Sequence, residues 1–167
     1  MNIREATSHD AATFAALISA SNRDVAAQFG LTFENCPKHP SFCTEDWIKA
    51  DLARGERYFL AEEAAEPIAC VAFELADAGV AYLNRLSVLP VHRRSGIGAH
   101  LVEHVIALAR SKHRHSLSIG VIGEHTNLQR WYGKLGFVTG DSRRFAHLPF
   151  SVTYMTLALR PTGEATG

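Results

Sequence analysis

The chain has 167 residues, of which 47% are hydrophobic and 20% charged, the balance of a globular domain able to bury one core. Lys and Arg number 17, as do Asp and Glu, so bulk charge gives no attraction to nucleic acid, and three cysteines argue against a disulfide-built scaffold. No apolar run reaches the ~18 residues of a membrane span, and the first residues lack a secretory signal pattern. We therefore expect a cytoplasmic protein without a membrane partner.

The first 54 residues are predicted to hold one short strand and two helices. The strand covers residues 3–6, and a helix follows from His9, where apolar residues recur at helical spacing. The second helix covers residues 44–54, since Thr44 offers a capping oxygen just before an apolar face. The interval 30–43 between the helices is polar, aromatic and loop-like.

Three runs that favour β-structure follow, at residues 57–61, 67–75 and 80–88. The turn-forming stretches 62–66 and 77–79 join them. This spacing predicts an antiparallel meander.

The hydrophobic period then changes from two to about 3.6 residues. From residue 96 to residue 112 apolar side chains recur every three or four positions, which predicts an amphipathic helix that lies on the sheet. Residues 116–121 alternate small or polar side chains with Leu, Ile and Val, as expected for a strand with one packed face.

A basic turn containing two glycines, from Arg93 to Ala99, joins the third of these runs to the amphipathic helix. The first turn of a helix leaves main-chain N–H groups without partners and carries partial positive charge, so it stabilises an anion. Gly96 and Gly98 leave room beside those amides, and Arg93 and Arg94 add guanidinium groups that suit phosphate. The turn is therefore a candidate pyrophosphate site, although an ordinary loop-to-helix turn would have a similar pattern.

Two common nucleotide-binding motifs are excluded by the same residues. Position 101 is Leu, so there is no third glycine for a dinucleotide-binding fingerprint. No Gly-Lys-Ser/Thr sequence follows, so the phosphate loop of nucleotide hydrolases is also absent.

The turn instead resembles the acetyl-coenzyme A signature of the GNAT-type N-acetyltransferase superfamily, Gln/Arg-x-x-Gly-x-Gly/Ala, filled here by Arg93, Gly96 and Gly98. The resemblance includes the preceding segment 86–90 and the stretch 131–137, which is similar to the family's Tyr-x-x-x-Gly-Phe ending. These features lie in the family's order between residues 82 and 137.

The resemblance implies an α/β fold with one domain at residues 1–160, and the polar residues 161–167 are expected to form a disordered tail. In this GNAT-like fold a central mixed, mostly antiparallel sheet of six to seven strands splays between strands four and five and is flanked by about four helices. The pantetheine arm inserts into the splay like a missing strand.

The resemblance also implies which residues bind acetyl-coenzyme A. They are Leu86, Ser87, Val88, Arg93, Arg94, Ser95, Gly96, Ile97, Gly98 and Ala99. A further contact is expected after the fifth strand, where the family has asparagine; His125 occupies that position here and Asn127 follows two residues later, so both are candidates.

Tyr132 matches the family's tyrosine near the coenzyme sulfur and is the predicted general acid. Carbonyl polarisation is expected from a main-chain N–H near Val88. In some members a carboxylate or histidine on the fourth strand is the base, but the matching positions here are Tyr82 and Asn84. Glu74 on the neighbouring strand is the substitute, acting through water, with a surface carboxylate as the alternative interpretation.

Two patterns could suggest a metal. His100-x-x-Glu103-His104 matches an inverted zinc-protease motif, but no third ligand is recognisably spaced, and a solvated helix face explains it. The stretch from Cys36 to Cys43 offers too few converging soft ligands, and a proline-rich loop explains it. No metal is expected.

The sequence thus predicts an acyltransferase that moves the acetyl group of acetyl-coenzyme A to a primary amine by direct attack in a ternary complex. The acceptor is a small-molecule or peptide amine, with no nucleic acid partner, and a homodimer is left open. The alternative is a non-catalytic acyl-coenzyme A sensor, which would keep the basic turn but not need the tyrosine.

Overall fold

The structure, a computed structural model, describes residues 1–159 and places seven strands in one sheet. In chain order the strands are β1 (Asn2–Glu5), β2 (Arg57–Glu63), β3 (Glu66–Leu75), β4 (Val80–Val88), β5 (Ser116–Ile122), β6 (Val138–Arg144) and β7 (Ser151–Ala158). The predicted tail at residues 161–167 lies outside the described residues.

Four helices of nine residues or more flank the sheet, together with one of six residues. They are α1 (Ala11–Ser21), α2 (Arg23–Gln28), α3 (Glu45–Ala53), α4 (Ile97–Ser111) and α5 (Thr126–Lys134). No helix in the described part of the chain is long and apolar enough to cross a membrane.

The strand order is β1-β2-β3-β4-β5-β7-β6. Every neighbouring pair is antiparallel except β4 and β5, which are parallel and are joined through α4. A parallel pair needs such a crossover, whereas the antiparallel pairs β2–β3, β3–β4 and β6–β7 are joined directly by short connections. The predicted mixed, mostly antiparallel sheet of six to seven strands is confirmed.

Apolar side chains fill both faces of the sheet. On one face α1 and α3 pack on β2, β3 and β4 around Phe14, Ile48 and Tyr58. On the other face α4 buries Ile97, Leu101, Val102, Val105 and Ala109 against β3, β4 and β5. The 3.6-residue period predicted for α4 is confirmed because its apolar stripe is the part that the sheet removes from water.

Local signals define several element boundaries. Thr44 caps α3, with its side-chain oxygen accepting from Trp47 N over 3.4 Å, as the sequence predicted. The β2–β3 hairpin turns at Ala64 and Ala65, both with positive φ (51° and 65°). Two such residues in succession are typical of the turn whose twist matches a hairpin, so the predicted turn is confirmed, although glycine fills neither position.

Candidate active site

β4 and β5 diverge over most of their length and leave a gap in the sheet. The residues from 83 to 88 pair with β3 alone, and those from 119 to 122 pair with β7 alone, within the described part of the chain. The parallel contact is restricted to the pairs Val80–Ser116, Ala81–Leu117 and Tyr82–Ser118. The main-chain groups on the two facing edges are thus open to a narrow, extended ligand.

The turn after β4 holds a row of main-chain N–H groups without partners. Gly96 has φ +83° in the left-handed region and is followed directly by α4, whose 15 residues give its N-terminus partial positive charge. Within residues 1–159 no group accepts a hydrogen bond from the amides of Arg94, Ser95, Gly96, Ile97, Gly98 and Ala99. Six successive free amides at a helix start fit an anion such as a pyrophosphate.

Gly98 is required by packing as well as by any ligand. A Cβ atom at this position would lie 3.2 Å from Cζ2 of Trp131 and 3.7 Å from Cγ2 of Val88. The indole ring of α5 thus lies against the first turn of α4 beside the end of β4. The sequence predicted that Gly98 makes room beside the amides, and the structure adds that the indole occupies space there.

Arg93 makes its hydrogen bonds with the protein itself. Its guanidinium donates to both carboxylate oxygens of Asp24 in α2, over 2.5 and 3.2 Å, and to the main-chain oxygen of Ser21 over 2.6 Å. Its Nε donates to the main-chain oxygen of Val88 over 3.2 Å. This arginine therefore fastens α1 and α2 to the end of β4, and its direct contact with phosphate stays a prediction.

The two residues that follow Arg93 are exposed. Arg94 has φ +64° and an exposed side chain beside the free amides. The Ser95 hydroxyl donates to the main-chain oxygen of His92 over 2.5 Å, which closes the turn. Arg94 is therefore the guanidinium of this turn that projects into solvent.

β4 contains a bulge at Arg85, next to the gap. Cys70 and Ala72 of β3 pair with Ser87 and Asn84, so β4 carries one extra residue there, and Arg85 has φ +54°. A non-glycine residue in this region costs roughly 1–2 kcal/mol. Interactions of its guanidinium offset that cost: Nε donates to the Tyr58 hydroxyl over 3.0 Å and to Asp51 over 3.3 Å, and Trp47 lies beneath it.

The three residues after the bulge line the edge of the gap. Leu86 and Val88 pack towards the α4 face, whereas Ser87 is buried and its hydroxyl donates to the main-chain oxygen of Arg85 over 3.2 Å. Asn22, which follows α1, donates to the Ser87 hydroxyl over 3.2 Å. The predicted strand edge is therefore rigidly held on the side away from β5.

Tyr132 is a residue of α5, and its side chain is buried in the core that α5 forms with the sheet. Its ring makes edge contacts with Trp131 and Phe137, at centroid distances of 4.9 and 5.4 Å. Burial raises the pKa of its phenol far above the usual value, so the group stays protonated. Its hydroxyl makes no hydrogen bond with any described residue, which leaves it free to donate to a ligand.

The loop between β5 and α5 brings His125 close to α2. Its ring lies 5.3 Å from that of Phe29, and its Nδ1 accepts from Leu128 N over 3.4 Å as the cap of α5. Burial lowers the pKa of His125. Asn127 is exposed and its Oδ1 accepts from Arg130 over 3.4 Å, so of the two candidates His125 is the one that is partly buried.

Carboxylates gather on the opposite face, beside Asn84. Glu74 of β3 accepts from Arg54 over 3.2 Å and from Asn84 over 3.4 Å. The buried Glu56, one residue before β2, accepts from Asn84 over 2.9 Å and from Arg54 over 2.7 Å. No local sequence pattern predicts Glu56 as a site residue, because only the pairing of the strands brings it to Asn84.

The aromatic residues of the loop 30–43 and of α3 are partly brought together. Phe33 is exposed and makes an edge contact with Phe42 at 5.8 Å, while Trp47 lies between Lys38 and Arg85. His39 instead turns inward, where burial lowers its pKa. Trp47 thus connects this loop to the bulge of β4.

The two metal-like patterns do not converge. His100 projects into solvent, whereas His104 packs its ring on Phe59 at 4.6 Å. Cys36, Cys43 and Cys70 are buried free thiols. Over residues 1–159, no three His, Cys, Asp or Glu side chains are grouped so that they could hold a metal ion.

Solved structures share this fold over nearly the whole chain. The ribosomal-protein-S18-alanine N-acetyltransferase of Escherichia coli is 17% identical with a TM-score of 0.76, covering 99% of this chain and 98% of its own. The ribosomal-protein-alanine N-acetyltransferase of Brucella melitensis is 18% identical with a TM-score of 0.69, covering 95% and 100%. The acetyltransferase yncA of Salmonella typhimurium, solved with its cofactor acetyl-CoA, is 19% identical with a TM-score of 0.68, covering 100% and 98%.

No curated protein is significantly similar in sequence. The profile of the Acetyltransferase (GNAT) family matches residues 22–137, which contain the basic turn, the gap and Tyr132. Together with the splayed sheet and the free amides at the start of α4, this match confirms the predicted resemblance. The chain belongs to the GNAT family of acetyltransferases.

Proposed function

We propose that the chain transfers the acetyl group of acetyl-CoA to a primary amine, by direct attack of that amine in a ternary complex. The main support is the row of six free amides from 94 to 99, which follows the end of β4 at the gap between β4 and β5. A phosphate-bearing ligand with an extended arm fits this arrangement, because its anionic end and its arm need these two features side by side.

Several groups of the chain would hold the coenzyme. The amides from 94 to 99 and the Arg94 guanidinium would take the pyrophosphate, and the edge from Leu86 to Val88 would pair with the pantetheine amides. His125 and Asn127 stay candidates for a contact on the β5 side. Acetyl-CoA supplies an activated thioester whose acetyl group a neutral amine can attack.

The chain must also supply a neutral amine. An amine with a pKa near 10.4 is neutral in about one molecule in ~2,500 at pH 7, which corresponds to roughly 4.6 kcal/mol. A carboxylate near the bulge can lower this cost by taking the proton. Two carboxylates accept hydrogen bonds from Asn84 there: Glu74, which is the base predicted from the sequence, and the buried Glu56.

Tyr132 is proposed to stabilise the departing thiolate. Its hydroxyl is unpartnered among the described residues and its raised pKa keeps the proton in place. Full transfer of that proton to sulfur is therefore costlier than for an exposed phenol, and a hydrogen bond to the sulfur supplies most of the stabilisation. A main-chain N–H near Val88 would polarise the carbonyl.

The acceptor is proposed to be a protein or small-molecule amine. Two structural neighbours are named as acetyltransferases of ribosomal-protein alanine, which makes a peptide with an N-terminal alanine the first acceptor to try. The exposed Phe33 and Phe42 pair would provide apolar contacts at the mouth of such a site.

The test has two measurements. Titration calorimetry should detect CoA binding to the purified chain, with an affinity that falls as salt rises because phosphates are held partly by charge. A panel of an N-terminal-alanine peptide, spermidine, lysine and an aminoglycoside should then be assayed for release of the CoA thiol. Absence of CoA binding at millimolar concentration and low salt would overturn the proposal.

A further inference from the structure

Glu56 is a buried carboxylate whose cationic partner is shared with other carboxylates. The residue is 4% exposed, and both of its oxygens accept one hydrogen bond each, from Asn84 and from Arg54. Arg54 is also shared with Asp51 over 2.8 Å and with Glu74 over 3.2 Å. Burying a charge that is only partly compensated is costly, so this placement needs an explanation beyond packing.

The charges around Glu56 do not cancel. The carboxylates are those of Asp51, Glu56 and Glu74, and the guanidiniums facing them are those of Arg54 and Arg85. Three acids against two bases leave one excess negative charge when all are ionised. The phenol of Tyr58, which donates to Asp51, and the thiol of Cys43 also face this cluster, and burial raises the pKa of both, so they stay neutral. The cluster can thus take up one proton and become neutral.

Asn84 connects this cluster to the gap. Its Nδ2 donates to Glu56 Oε1 over 2.9 Å and to Glu74 Oε2 over 3.4 Å. The opposite amide orientation would aim a carbonyl at two carboxylates, so the orientation is fixed. Its Oδ1 makes no hydrogen bond with any residue from 1 to 159, and Asn84 directly precedes the bulge at Arg85. An amine that approaches the bulge therefore meets a free acceptor oxygen.

We propose that Glu56 is the proton acceptor for the acceptor amine, which Asn84 Oδ1 positions beside it. The inference rests on the proposed function. An N–H bond of the ammonium breaks and its proton passes, through one water, to a carboxylate oxygen of Glu56, leaving a neutral amine and a neutral carboxyl group. The amine nitrogen then forms the bond to the acetyl carbon as the carbon–sulfur bond breaks. The second proton of that nitrogen ends on the sulfur, and Glu56 returns its own to solvent.

Glu56 is better suited to this step than Glu74. The Glu56 side chain is 2% exposed and the Glu74 side chain 29%. Burial raises the pKa of Glu56, and the nearby carboxylates of Asp51 and Glu74 add to the effect, while Asn84 and Arg54 oppose it. A base whose pKa is closer to that of the ammonium takes its proton at lower cost.

The experiment compares Glu56→Gln with Glu74→Gln, two changes that remove one charge each within the same cluster. The probe is the amine of the panel above that wild type acetylates fastest, and kcat/KM is measured from pH 5 to 9. Wild type should lose activity below the pKa of its base. Glu56→Gln should lower kcat/KM by about 10²-fold and remove this fall in activity at low pH, the acidic limb of the profile. Glu74→Gln should retain the acidic limb.

Glu56→Asp is the control that tests whether misfolding explains the loss of activity in Glu56→Gln. It should restore the acidic limb at a reduced rate, with CoA affinity by calorimetry close to that of wild type in all three variants. A retained limb in a folded Glu56→Gln variant, or a limb lost only in Glu74→Gln, would overturn the inference. Failure of wild type to acetylate any amine would count instead against the proposed function.

Discussion

The ring of Trp131 lies so close to Gly98 that a Cβ atom there would come within 3.2 Å of Cζ2 and 3.3 Å of Cη2. Helix α5 is thereby packed against the first turn of α4, where the free amides lie. Gly98 has no positive φ that would require glycine, so the contact with Trp131 is the reason that a side chain is not accommodated there. The position of the free amides therefore depends on this contact.

Gly98→Ala is expected to weaken CoA binding about tenfold, equivalent to roughly 1.4 kcal/mol, because the indole or the first turn of α4 must shift to admit the methyl group. Isothermal titration calorimetry measures the change. Gly133→Ala in α5 is the matched control, since a Cβ there meets nothing within 4 Å. It should stabilise the helix by about 1 kcal/mol and leave CoA binding unchanged. Equal CoA affinities for the two variants would contradict this account.

Arg93 and Asp24 can be separated by two substitutions. Their side chains are 37% and 52% exposed, so Asp24→Asn should cost less than about 1 kcal/mol in urea unfolding. Arg93→Ala should cost about 2 kcal/mol, because the hydrogen bonds to the main-chain oxygens of Ser21 and Val88 are lost as well.

CoA affinity distinguishes the two functions of Arg93. If its guanidinium reaches phosphate, as the sequence predicts, Asp24→Asn releases it and should tighten CoA binding, while Arg93→Ala weakens it. An affinity that Asp24→Asn does not improve would assign Arg93 to fastening the helices alone.

Tyr132→Phe should lower kcat by about 10²-fold, because the departing sulfur loses its hydrogen-bond donor. The phenyl ring keeps the edge contacts with Trp131 and Phe137, so CoA affinity and the free energy of unfolding should stay close to those of wild type. Steady-state assays of thiol release measure the effect. Unchanged turnover would remove this hydroxyl from the mechanism.

Asp10 should contribute to stability in a pH-dependent way. Its carboxylate pairs with Arg4 over 3.0 Å and accepts from Thr7 N over 2.8 Å. The hydrogen bond with Arg4 lowers its pKa from 3.8 to about 2. Because the folded-state pKa is the lower one, the stabilisation is present above the unfolded pKa and disappears as pH falls towards 2.

Asp10→Asn is therefore expected to cost about 1 kcal/mol at pH 7, after allowance for solvent screening, and progressively less from pH 4 to pH 2. Urea unfolding at each pH gives the difference. Asp141→Asn, the same change on the exposed edge strand β6, is the matched control and should change the free energy of unfolding by less than about 0.5 kcal/mol. If Asp10→Asn lowered the free energy of unfolding by the same amount at every pH, the charge of Asp10 would contribute nothing. Only its hydrogen bond with Thr7 N would then matter.

Patterns within a few residues predicted much of the fold. The β-favouring runs at 67–75 and 80–88 predicted β3 and β4, and the 3.6-residue period from residue 96 predicted α4, because one face of that helix is buried against the sheet. The free amides after Gly96 follow from the same local geometry, since every helix start leaves them.

Other features depend on residues far apart in the chain. Glu56 meets Asn84 across 28 positions, and Arg93 meets Asp24 across 69. Nothing in the local sequence distinguishes these side chains from ordinary surface charges, so the sequence alone favours Glu74 as the base and does not predict α2. The same holds for the contact of Trp131 with Gly98, which depends on how α5 packs against α4.

The sequence by itself determined the family and predicted a pyrophosphate site, because both depend on short-range periodicity and on one seven-residue turn. Only the tertiary structure decided which carboxylate is buried beside Asn84 and which arginine is engaged by the protein. Burial and charge pairing are properties of the packed sheet and helices, and free energies of ionisation follow from that packing rather than from neighbours along the chain.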